Sequence, residues 1–156
     1  MNGHNFDKSD KIILSELQRR ATMPIAELAE KAGLSASSCH RRVKLLEQAG
    51  VITGYAAQLE GRALGFVNDF FVEVSLIAQT EEAFEKFEKA VQRMPEILEC
   101  HLMSGQFDYL LRVAAADAND YARIHRTKLS RLPGLQRLHS SLALRAVKRW
   151  SGYPIV

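Results

Sequence analysis

Between Ser35 and Lys44 the chain runs Ser35-Ala36-Ser37-Ser38-Cys39-His40-Arg41-Arg42-Val43-Lys44, hydroxyls first and then a histidine and three cations. On a helix, these groups suit the recognition of nucleic acid. A helix N-terminus offers unpaired N–H groups and a partial positive charge that favour a phosphate. The serine hydroxyls can donate to phosphates or bases, and a first turn of small residues permits close approach. Arginine binds guanine through two parallel hydrogen bonds, whereas lysine more often holds a phosphate. Arg41 and Lys44 stand three apart, which makes them surface neighbours on a helix. The candidate interface is therefore Ser35, Ala36, Ser37, Ser38, His40, Arg41, Arg42 and Lys44. A trihelical bundle whose charges are merely solvated is the alternative that spacing leaves open.

Catalytic chemistry finds less support. Cys39 and His40 are adjacent, but a helix points neighbours about 100° apart. Cys100 and His101 are adjacent on a predicted strand and so face opposite sides. Neither pair has the spacing of a zinc site, and no cofactor or metal is implied. His125 falls on an apolar helix stripe, the place of a packed histidine. Cys39 reads as a small buried residue, since a free cysteine behaves as a hydrophobe.

Three helices must position the basic segment. Asp7 can cap the first, with Asp10 completing a capping box, and Ile13, Leu14, Leu17 and Ala21 form its apolar stripe. Pro24 opens a short second helix, where its missing N–H does no harm, and Gly33 ends it. Ser35 is a suitable N-cap for the third, which buries Val43 and Leu46 and stops at Gly50. Helix, short helix, glycine turn and helix constitute a helix-turn-helix, whose second motif helix enters the major groove.

From Val51 the period changes. Val51 to Ala56 reads as a short strand, and residues 60–66 as a hinge. Phe70, Val72, Val74 and Leu76 then alternate with Phe71, Glu73, Ser75 and Ile77 as a strand would. A helix with Phe84, Phe87, Val91 and Met94 follows, closed by Pro95. Strands are predicted over 97–103 and 107–115, a helix through Tyr121, His125, Leu129 and Leu132, and a last strand over 135–147. The fold class is α+β. A helix-turn-helix domain over 1–59 precedes a βαββαβ, ferredoxin-like domain over 67–156. Two helices cover only one face of such a sheet. The other contains apolar groups, so another subunit is expected to cover it.

Charge is distributed unevenly: net +1 over residues 1–60, −6 over 61–120, and +8 after Asp120, where no acid follows. This asymmetry can steer subunits or leave one side of an assembly electropositive. No apolar run approaches the ~18 residues of a membrane span. The first residues lack the basic and apolar segments of a signal peptide. A cytoplasmic location without membrane association is therefore expected.

The runs Ile13-Leu14-Ser15-Glu16-Leu17-Gln18, Glu27-Leu28-Ala29, Gly33-Leu34-Ser35, Arg42-Val43-Lys44 and Gly50-Val51-Ile52, with Cys39, resemble the Lrp/AsnC family of feast/famine transcription regulators. The second half continues the resemblance in Pro95-Glu96-Ile97, Glu99-Cys100, Gly105-Gln106-Phe107-Asp108-Tyr109 and Leu132-Pro133-Gly134. It covers essentially the whole chain. Thr22 and Pro24 depart from the arginine and capping serine frequent there, which alters the entry to the second helix.

The resemblance implies a DNA-binding transcription regulator of amino-acid metabolism, with a winged helix-turn-helix hinged to a ligand-sensing and assembly domain. It implies homo-oligomers, dimers gathered into octamers, and a small effector, usually an amino acid. The effector site maps onto Ser104, Gly105, Gln106 and Asp108, with Ser140, Ser141 and Leu142 lining the side-chain end. A glycine turn can hold a carboxylate on backbone N–H groups, and Asp108 can pair with an ammonium. Without the resemblance, Asp108 reads as a turn residue accepting backbone N–H bonds. Three other functions are weighed: an architectural DNA protein without effector, a tetrapyrrole decarboxylase-like enzyme, and an RNA binder. The basic helix disfavours the enzyme. Phe107-Asp108-Tyr109-Leu110-Leu111 lacks the Lys/Arg-Gly-aromatic-Gly pattern of RNA-recognition strands.

Overall fold

A computed structural model describes residues 5–155. The chain divides into two compact units, one formed by residues up to 58 with those from 148 onward, the other by Leu59–Val147.

The first unit is trihelical, with α1 Lys8–Arg19, α2 Ile25–Ala32 and α3 Ala36–Gln48. The expected capping box closes α1: Asp10 N–H donates to Asp7 at 2.9 Å and Asp7 N–H donates back to Asp10 at 3.4 Å. Pro24 stands at the N-cap of α2, and Gly33 ends that helix in the left-handed conformation at φ 67°. A residue with a Cβ would be strained there, so glycine sets the turn into α3. Ile13, Leu28, Cys39, Val43 and Leu46 are buried together at the centre.

The expected strand at Val51–Ala56 does not form. Val51 and Ile52 N–H both donate to Leu46 O, so the chain here closes α3. Their side chains pack on the trihelical core, and among the described residues no backbone pairs with the segment as a ladder.

The second unit contains β1 Asn68–Leu76, α4 Glu81–Val91, β2 Ile97–Leu102, β3 Tyr109–Ala115, α5 Ala118–Thr127 and β4 Leu135–Leu142. The antiparallel sheet has the order β2-β3-β1-β4. That is the expected ferredoxin-like arrangement. Phe70, Val72, Val74 and Leu76 alternate inward with Tyr109, Leu111 and Val113, and pack with Phe87, Val91, Tyr121 and Ile124. Phe70 and Tyr121 stack with centroids 3.6 Å apart.

Element boundaries differ from expectation: β2 ends at Leu102 and β3 begins at Tyr109, inside the expected ranges 97–103 and 107–115. β4 ends at Leu142, opposite Phe70 near the start of β1; past it, Ala143 N–H still donates to Asp69 O at 2.9 Å, and β1 itself begins at Asn68. The final helix breaks at Lys128, and a separate short 3-10 turn, Leu129–Arg131, brings Leu129 into the core. Ile124 takes the buried helical position, while His125 is half-buried with its ring centroid 6.2 Å from that of Tyr121.

The opposite sheet face carries Phe71, which is 40% exposed, and half-buried Leu110. Beside them Arg112 binds Asp69 at 2.7 Å and Glu99 at 2.8 Å. Among the described residues no helix is long and apolar enough to cross a membrane.

Candidate nucleic-acid interface and effector site

Alternation around α3 decides which of its residues face outward. Cys39, Val43 and Leu46 follow one another at spacings of four and three and are buried. The opposite stripe therefore holds Ser37, Arg41 and Lys44, flanked by Ala36 and His40, all exposed. At the N-terminus Ser35 Oγ accepts from Ser38 N–H at 3.3 Å and lies 3.2 Å from Ser37 Oγ. Capping thus gathers the hydroxyls at the end of the helix where an anion is favoured. Burial raises the Cys39 thiol above its ordinary pKa, which keeps it neutral inside the core.

The three cations have different surroundings. Arg42 turns toward α1, where Nη1 donates to Asp7 at 2.7 Å and Asp10 at 2.8 Å. Lys44 pairs with Glu47 at 2.8 Å, and Glu47 also accepts from the Tyr55 hydroxyl at 3.0 Å. Those donors, Lys44 first, hold the Glu47 carboxyl below its usual range. Arg41 is exposed and has no ion-pair partner among the described residues. Arg41 is therefore the outward cation that can bind a new partner without breaking an existing pair.

The second site lies at one end of the sheet. Gly105 has φ 151° and makes the turn between β2 and β3. Ser104, Gly105 and Gln106 are exposed, whereas Asp108 is 7% exposed. The Asp108 carboxylate accepts from Leu76 N–H and from Gln79 Nε2, each at 2.7 Å. Its backbone N–H donates to Val74 O, and its carbonyl accepts from Met103 N–H. Asp108 thereby fastens the turn to the end of β1 and to the segment before α4. A cavity of about 440 Å³ opens beside it, with Gln106 and Asp108 in its wall together with Ser75, Gln79, Gln136 and Arg137. Gln79, Gln136 and Arg137 escape sequence reasoning because only strand register brings them here.

Ser140, Ser141 and Leu142 lie elsewhere. Leu142 pairs with Phe70 and Ser141 with Phe71, while Asp108 binds Leu76 at the other end of β1. Four to six strand residues separate them, ~13–20 Å. Ser140 Oγ accepts from the Tyr121 hydroxyl at 2.5 Å. One chain alone does not bring the two groups of residues to a common cavity.

Residues 6–53 match the profile of a winged helix-turn-helix DNA-binding domain, and residues 69–152 that of the Lrp/AsnC ligand binding domain. The chain belongs to the Lrp/AsnC family. It is accordingly a DNA-binding transcription regulator with a ligand-binding domain. Among Lrp/AsnC relatives, the proline dehydrogenase transcriptional activator of Rhodobacter capsulatus is 41% identical, over 91% of this chain and 92% of the relative. The leucine-responsive regulatory protein of Haemophilus influenzae is 41% identical over 92% of this chain and 87% of its own. A transcriptional regulator of Neisseria meningitidis, solved with L-methionine, superposes with TM-score 0.91 at 34% identity, covering 96% of both chains. An AsnC family regulator of Agrobacterium tumefaciens gives TM-score 0.90 at 31% identity, over 96% of this chain and 97% of the other.

Proposed function

We propose that this Lrp/AsnC regulator reads double-stranded DNA with the outer stripe of α3, and that a small effector bound beside the Gly105 turn modulates DNA binding or assembly. The exposed guanidinium of Arg41, with no ion pair among the described residues, on the face opposite Cys39, Val43 and Leu46 carries the DNA assignment. Arg41 and His40 reach base edges in this reading. Ser35, Ala36, Ser37 and Ser38 approach a phosphate at the helix start, Lys44 holds another, and Arg42 fixes the angle of α3 against α1.

The effector is an amino acid or a close chemical relative. The L-methionine complex of the Neisseria meningitidis neighbour supports that class. The cavity beside Asp108 supports its place, since its volume falls within the ~300–1,000 Å³ of small-molecule sites. Two chains pair through the open sheet face bearing Phe71 and Leu110, and dimers assemble further, to an octamer. Ser140, Ser141 and Leu142 then meet a bound effector through a neighbouring chain. The protein acts by binding in the cytoplasm, with no catalytic step.

Arg41→Ala tests the DNA half of the reading. Its expected cost on a specific site is ~1–3 kcal/mol, with little change on unrelated sequence. Equal weakening on all sequences would reassign Arg41 to phosphate. A thermal scan against the twenty amino acids tests the effector half, with ~2.7 kcal/mol expected at a hundredfold excess over Kd. No response at millimolar concentrations would favour an architectural DNA protein.

A further inference from the structure

The trihelical unit includes a second stretch of chain, from Lys148 onward. Two features fix it there. Tyr153 is fastened through both its backbone groups to the side chain of Gln18 on α1. Trp150 and Tyr153 stand edge to face with centroids 4.8 Å apart, although their side chains are largely exposed. Trp150, Gly152 and Tyr153 share the wall of one cavity with Thr53, Tyr55 and Gln58, in the segment that follows α3. Tyr55 in turn donates to Glu47, which pairs with Lys44 on the outer stripe of α3. A series of contacts within one unit thus runs from the outer stripe of α3 to the tail.

Charge says what such a tail can meet. Up to residue 58 the unit holds eight Lys and Arg against six Asp and Glu, a net of +2. Five of those cations, Arg19, Arg20, Lys31, Arg42 and Lys44, already pair with carboxylates. The tail adds Lys148 and Arg149 and no acid, which raises the net to +4. Both side chains are exposed, and Lys148 has no ion-pair partner among the described residues. Two consecutive cations therefore stand immediately before an anchored pair of rings. Basic arms beside a helix-turn-helix serve to reach the DNA backbone or the minor groove next to the recognition helix. A contact of this tail with its own copy across a two-fold axis would instead set like charges together.

We propose that Lys148–Tyr153 is a second DNA contact, in which Lys148 and Arg149 bind phosphates flanking the groove read by α3. Trp150, Tyr153 and Gln18 are positioning residues that hold the two cations in place. The contact is to the backbone, so it adds affinity without adding sequence preference. This rests on the DNA reading above and extends its footprint.

The test uses the full-length protein and two duplexes of equal length, one selected from a random pool by the parent protein and one unrelated. Binding is titrated from 50 to 200 mM KCl. The double variant Lys148→Ala/Arg149→Ala should weaken both duplexes by the same factor. It should also reduce the slope of log K against log[salt] by ~1 for each cation that meets a phosphate. The charge-conserving pair Lys148→Arg/Arg149→Lys should restore the slope. The unfolding midpoint and the sedimentation of the free protein should match those of the parent. An unchanged slope in the alanine variant would overturn the proposal and leave the α3 reading intact. A smaller sedimenting species would make the tail a subunit contact and overturn it too. Failure of the α3 reading shows separately, as an Arg41→Ala variant that still prefers the selected duplex as the parent does.

Discussion

The side-chain carboxamide of Gln18 pairs with the backbone of Tyr153 as a neighbouring strand would: Nε2 donates to Tyr153 O at 3.0 Å, and Oε1 accepts from Tyr153 N–H at 2.7 Å. The segment around Tyr153 thus lies against α1, within the same compact unit. Gly152 permits this approach. It has φ 103°, and a Cβ there would collide with the Gln18 carboxamide oxygen. Gly152→Val should therefore release the tail, combining backbone strain of ~1–3 kcal/mol with loss of both hydrogen bonds. Limited trypsin digestion checks this. Cleavage after Lys148 or Arg149 should quicken in Gly152→Val and in Gln18→Ala alike, and unchanged cleavage in both would show that the contact does not hold the tail.

Arg42→Ala should act on folding rather than on sequence reading. It removes the link from α3 to Asp7 and Asp10. The surroundings are partly solvated, so the expected effect is a midpoint lowered by roughly 2–4 °C. Circular dichroism on heating measures it. Arg41→Ala, with an exposed side chain and no ion pair among the described residues, should melt as the parent does.

Asp108→Ala should both loosen the second unit and silence the effector response. It leaves Leu76 N–H and the Gln79 carboxamide without their acceptor, at about 1–3 kcal/mol for a buried donor. DNA binding should survive at temperatures below the lowered midpoint. Chemical denaturation and a DNA-binding titration with and without effector separate the two effects.

Acid should destabilise the protein. The Asp10 N–H, and then Arg42, hold the Asp7 carboxyl below the usual range, and Arg112 does the same for Glu99. A carboxyl with a lowered folded pKa stabilises fully above its unfolded value, and that contribution fades as pH falls through the unfolded and then the folded value. The unfolding midpoint should be nearly flat from pH 6 to 8 and decline below roughly pH 4.5. Arg112→Gln should make that decline shallower.

Phe71→Arg should break the proposed pairing of sheets, since it adds a charge beside Arg112 on the open face. Sedimentation should then report a smaller species with the same circular dichroism.

Local signals were legible in the sequence wherever neighbours along the chain supply the energy. The Asp7–Asp10 capping box, the left-handed turn at Gly33 and the Ser35 cap join residues at most three apart, and each forms as residue type predicts. Strand alternation in β1 likewise names the buried face, because the two-residue period leaves only one apolar side. The motif that resembles Lrp/AsnC proteins lies in the same local record. Only tertiary structure decided which charged groups are free. Arg42 and Arg41 are neighbours of one type, yet Arg42 meets carboxylates 32 and 35 positions away while Arg41 faces outward. Strand register sets Asp108 against Gln79 and beside Arg137, and Gln18 finds Tyr153 across 135 positions. Such pairings depend on where packing leaves a backbone group or a charge without water, and that is a property of the assembled chain.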